Sequence, residues 1–98
     1  MAKQVIWSRK AQNDQNEILQ YWRSRNKSNA YSKKLRALFN TAVKLIAIHP
    51  KIGRPSHLLY KRTKIVSNYI IIYRETETQI EILTIRDTRR NPDALKDL

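Results

Sequence analysis

No cysteine occurs in this chain, which excludes a disulfide framework and any thiolate chemistry. Glycine occurs once, at Gly53, so a glycine-rich phosphate loop is excluded as well. The two histidines, His49 and His57, stand apart from other ligating residues. They are too few for a histidine-based metal cluster, and neither a metal nor another cofactor is expected. Long apolar runs are missing: the longest is Tyr69-Ile70-Ile71-Ile72-Tyr73, far short of the ~20 residues a membrane span needs. Met1 to Gln12 lacks the apolar centre of a signal peptide, so a cytoplasmic location without membrane contact is expected. Acid is missing from one whole stretch. Between Glu17 and Glu75 there is none, while thirteen Lys or Arg lie there.

The chain has 98 residues and a formal charge of +12, with 41% hydrophobic residues. That length leaves room for one core, so residues 1–98 are expected to form a single domain. The apolar content separates it from a disordered basic tail. A surface of one sign attracts polyanions and speeds association with them. Solubility alone is the plainer reading, but a solubilising surface usually mixes both signs. RNA, DNA, the ribosome or an acidic protein are the partners this charge implies.

Hydrophobic spacing predicts a short first strand over Gln4 to Trp7, ended by Ser8-Arg9-Lys10. Ala11, Gln15, Ile18, Leu19 and Trp22 then share one helical stripe, with Asp14 and Glu17 expected near the helix start, where negative charge suits its dipole. Ser28 is expected to cap a second helix. Its apolar stripe is Tyr31, Leu35, Leu38, Phe39, Ala42, Leu45 and Ile46. Pro50, Gly53 and Pro55 stop that helix and make a basic loop from Pro50 to Ser56. Leu58 to Val66, Tyr69 to Arg74 and Gln79 to Arg86 read as strands, divided by Ser67-Asn68 and by Glu75 to Thr78. The expected fold is α+β: a two-layer domain with an N-terminal strand, a helical hairpin and a three-stranded antiparallel sheet.

Two constellations are candidates for chemistry. Tyr60-Lys61-Arg62-Thr63-Lys64 sets Lys61 and Thr63 on one strand face and Arg62 and Lys64 on the other. These cations either bind phosphate or discourage edge pairing, and residue type does not separate the two. Arg86-Asp87-Thr88-Arg89-Arg90 follows the apolar run of the last strand. Arginine forks suit bidentate phosphate binding. Asp87 among arginines is a better orienting partner than a base, since neighbouring cations lower its pKa. Lys51, Arg54 and Arg74 join these as expected contributors to nucleic-acid binding. His49 and His57 read as a cap and a surface residue. Tyr69 and Tyr73 share a strand face, and both read as core with Trp7 and Trp22. If the chain is an enzyme, its chemistry relies on Lys and Arg; metal-independent RNA cleavage is compatible with that, with Lys61, Arg62, Lys64, Arg89 and Arg90 as candidates to stabilise transition-state charge.

Three segments carry a family resemblance: Val5-Ile6-Trp7-Ser8 with Ala11, Asn68 to Arg74, and Ile82 to Pro92. Their order and spacing resemble the RelE/ParE superfamily of bacterial type II toxins. The resemblance implies a growth-inhibiting toxin held inactive by a cognate acidic antitoxin. Its target would be either mRNA in the translating ribosome, as in RelE-like members, or DNA gyrase, as in ParE-like members. In RelE-like members basic residues precede the hairpin, matched here by Lys61 and approximately by Arg62 or Lys64. An arginine follows the last strand, matched by Arg89 or Arg90. Many members have Arg directly after the hairpin Tyr, where this chain has Ile70. Many have His where Asp87 stands, and no Tyr or His follows Tyr73. The expectation drawn is a RelE-like mRNA endonuclease. A gyrase inhibitor without nuclease activity and a non-toxic nucleic-acid-binding module are the alternatives.

Overall fold

The computed structural model describes residues 2–26, 29–56 and 60–89. Ser28, His57 and Arg90, together with the segment after Arg90, lie outside the described residues. The elements run in the order β1 (Gln4–Trp7), α1 (Arg9–Asn26), α2 (Ala30–Ile48), a 3-10 turn (Pro50–Ile52), β2 (Arg54–Pro55), β3 (Lys61–Val66), β4 (Tyr69–Glu75) and β5 (Gln79–Asp87). The α+β architecture and its strand, two-helix, sheet order are those expected. The segment expected as a loop holds a 3-10 turn and the two-residue strand β2.

All five strands form one sheet in the order β1-β5-β4-β3-β2. β1 lies parallel to β5, and the other pairs are antiparallel. The first strand thus joins the sheet beside the last, and β5 is internal. No local spacing announces this, because a pairing partner 75 residues away leaves no trace in the hydrophobic pattern.

β1 ends at Trp7, whereas β5 continues to Asp87, which leaves polar backbone of β5 without a strand neighbour. Side chains opening α1 take over. The Ser8 hydroxyl donates to the Leu83 carbonyl (2.8 Å) and accepts from Ala11 N–H (3.0 Å), so it caps α1 and extends the sheet together. Asp14 accepts from Ile85 N–H (3.2 Å) and from the Thr84 hydroxyl. Asp14 was expected to serve the helix dipole. The helix opens at Arg9 with no acid in its first turn, and Asp14 instead tethers α1 to β5.

The helices cover one sheet face. Ala11 and Leu19 of α1 and Leu35, Phe39, Ala42, Val43 and Ile46 of α2 meet Val66, Tyr69, Ile71, Tyr73, Ile80, Ile82 and Ile85 in one cluster. Val5, Trp7, Ile18, Trp22 and Tyr31 flank it half-buried. The α2 stripe is rotated slightly from the expected one: Val43 is buried, while Leu38 is exposed. β4, apolar on both faces, reads as the strand buried on both sides that it is.

Candidate binding surface

Strand register sorts the cations. Arg62 aligns with Tyr73, and Lys64 with Ile71, which puts both on the helix-facing side. Lys61 aligns with Arg74 and then Glu81, Thr63 with Ile72 and then Thr84, and Ile65 with Ile70 and then Arg86. These three rows form the second face of the sheet, extended by Arg54 opposite Thr63. Lys61, Arg54, Arg74 and Arg86 therefore share a face, with Ile70 and Ile72 between them. A groove of about 730 Å³ runs along it, lined by Ile52, Arg54, Thr63, Ile65, Ile70 and Thr88 among others. Ile65 stands 66% exposed there.

Within that face Arg74 is engaged: its Nε donates to Glu81 (2.7 Å) and a second guanidinium nitrogen meets the same carboxylate. Arg62 is engaged elsewhere. Its guanidinium donates to the Gly53 carbonyl (2.9 Å) and approaches that of Lys51 (3.4 Å), which fastens the loop to β3. Tyr73 completes the clasp, donating to the Pro50 carbonyl (2.7 Å) and accepting from Gly53 N–H (2.9 Å). Burial pushes the Tyr73 phenol above its ordinary pKa, against the Gly53 hydrogen bond and Arg62. Lys51 itself is exposed on the 3-10 turn, and His49 caps α2 through its backbone.

The segment after β5 turns to the helical side. Asp87 accepts from Arg89 N–H (2.8 Å) and Nε (3.4 Å), and the Arg89 guanidinium lies 5.5 Å from the centre of the Trp22 ring. The Asp87 hydrogen bond, first among its causes, raises the Arg89 pKa. Trp22 donates its indole N–H to the Tyr69 hydroxyl (2.6 Å), and burial raises the Tyr69 pKa above its ordinary value. Tyr69 and Tyr73 are core residues, as their pattern predicts. The residues singled out in sequence thus fall into two groups. Arg54, Lys61, Arg74 and Arg86 gather on the second sheet face, while Arg62, Lys64 and Arg89 lie on the helical side.

Sequence reasoning included Tyr60 in the first constellation without foreseeing its exposure. It is 80% exposed beside Lys61 and has φ 75°, which bulky residues rarely adopt. That reasoning passed over Arg23, Lys33 and Arg36, whose proximity needs the helix crossing to be known. Among the described residues no three His, Cys, Asp or Glu side chains gather as a metal site would require, and no helix is long and apolar enough to cross a membrane.

A five-stranded mixed sheet backed by a helical hairpin, with cations on both sides, makes a small basic α+β fold. The family described as ParE toxin of type II toxin-antitoxin system, parDE, matches residues 5–92. The chain belongs to that family. It is accordingly the toxin of a ParDE-type pair, and membership implies a cognate antitoxin. A solved structure titled "Chromosomal ParDE TA system from P. aeruginosa" has the same fold, with TM-score 0.76 and 22% identity over 88% of this chain and 96% of that one. No curated protein matches the chain.

Proposed function

We propose that this toxin arrests growth by binding DNA gyrase rather than by cutting RNA. The position of Ile70 carries the reading. It sits in the middle of the second sheet face, between Ile65 and Arg86, and is 4% exposed. RelE-like nucleases resembling this chain often hold an arginine there, and an isoleucine offers a phosphate neither charge nor hydrogen bond. The tyrosines of that strand do not replace it: Tyr69 and Tyr73 point to the core. Membership of the ParE family favours the same target.

The shared face of Arg54, Lys61 and Arg86 favours the second reading, ribosome-dependent mRNA cleavage. Induced expression without antitoxin separates the two when DNA and protein synthesis are pulse-labelled in parallel. The expected outcome is an early stop in DNA synthesis with filamentation, and inhibition of supercoiling when purified toxin is added to gyrase. An early, selective stop in protein synthesis with cleaved mRNA would overturn the proposal. Undisturbed growth with soluble protein would point to a non-toxic binding module.

A further inference from the structure

At the turn between the helices, Arg23 from the last turn of α1 and Lys33 and Arg36 from the opening turns of α2 line a cavity of about 160 Å³. Leu19, Asn29 and Ser32 complete its lining, so three cations converge on it and no acid does. Leu19 and Ser32 are buried and form a fixed floor. Among the described residues the side chains of Arg23, Lys33 and Arg36 enter no ion pair or hydrogen bond; Arg62, Arg74 and Arg89 do, while Arg54, Lys61 and Arg86 on the sheet face do not. Lys33 and Arg36 are three residues apart on a helix and therefore share a face. Asn29, at the N-cap of α2, also lines the cavity. The volume holds about five waters at liquid density, enough for one tetrahedral anion and part of its hydration.

We propose that this junction grips a phosphate of duplex DNA, so that the toxin contacts the nucleic acid as well as the enzyme in the gyrase–DNA complex. The inference rests on the gyrase reading for its choice of duplex DNA, and on the cavity for the phosphate. Two guanidinium forks and an ammonium suit phosphate oxygens. No acid lines the cavity, and three cations without a counter-charge suit a polyanion. This site is separate from the sheet face and uses none of its cations.

The test compares two variants from which three charges each are removed: Arg23→Ala/Lys33→Ala/Arg36→Ala at the junction and Arg54→Ala/Lys61→Ala/Arg86→Ala on the sheet face. Binding of a short fluorescent DNA duplex by purified toxin is followed by anisotropy across a salt series, with circular dichroism confirming that both variants fold. Each phosphate contact contributes about −0.9 to the slope of log K against log salt. The junction variant is expected to bind about tenfold more weakly and to lose one to two contacts' worth of slope (roughly 1–2). The sheet-face variant should lose clearly less. Equal losses, or a greater loss from the sheet face, would overturn the proposal. Supercoiling assays with the wild type keep the two claims apart. If the toxin leaves gyrase unaffected while the junction variant still loses DNA binding, the gyrase reading falls and the site stands.

Discussion

Gly53 shows what a single residue can control. Its backbone dihedrals are ordinary (φ −72°, ψ 154°), so conformational freedom does not explain it. A Cβ there would lie 2.3 Å from the Tyr73 hydroxyl and under 3 Å from two ring carbons, and that ring is buried. Gly53→Ala is therefore expected to cost about 1–3 kcal/mol, as overpacking does, seen as a lower urea midpoint with unchanged slope. The sequence marks Gly53 as a helix breaker; the close approach depends on a tyrosine 20 residues away. The buried phenols of β4, one of them in this clasp, have a pH signature. The folded state holds the Tyr69 and Tyr73 protons more tightly than the unfolded state, whose phenols titrate near 10.0. Their contribution is complete below that pH and is lost as pH rises through the raised folded values. Urea midpoints should fall as pH rises above 10.0, and Tyr73→Phe, less stable at neutral pH, should fall less steeply.

Among the elements, both helices and the strands β1, β4 and β5 were legible because spacing and burial agree along them. β2 was not, since two residues carry no period, and its pairing with Thr63 and Arg62 is non-local. Asp14 misled for a related reason: an acid six positions into a helix looks like a dipole partner, and only the truncated β1 edge gives it Ile85 to bind. The β3–β4 hairpin turns on Ser67-Asn68, closed by the Val66 and Tyr69 pair, with Ser67 at φ 57°. Left-handed backbone costs a non-glycine residue about 1–2 kcal/mol, and glycine's greater chain entropy offsets roughly 0.5–1 kcal/mol of any relief. Ser67→Gly should raise stability by about 0.5–1 kcal/mol, and the thermal midpoint by about 2–6 °C for a chain of this size. Scanning calorimetry measures it. An unchanged or lower midpoint would show that the serine carries no strain.

At the scale of the whole molecule, charge was the most readable property and the site the least. The acid-free stretch announced anionic partners, and the family resemblance extended over the fold that the structure displays. The division of cations between two sides was hidden, because strand alternation separates Lys61 from Arg62 but does not say which faces the helices. Arg89 was grouped with Arg86 in sequence, and the turn after β5 carries it across to Trp22. The junction of Arg23, Lys33 and Arg36 was invisible for the opposite reason, since residues ten and thirteen positions apart meet only through the helix crossing.

The parallel pairing of β1 with β5 also bears on how the toxin is made. Val5 and Trp7 find their partners Ile80 and Ile82 only after the ribosome has finished nearly all of the chain. Until Gln79 to Asp87 emerges, β1 has no strand partner and Asp14 lacks its bonds to Thr84 and Ile85. The sheet therefore closes only once β5 has been made. Nascent chains stalled after Thr78 should be cut readily by protease. Chains stalled late enough for β5 to clear the ribosome should resist.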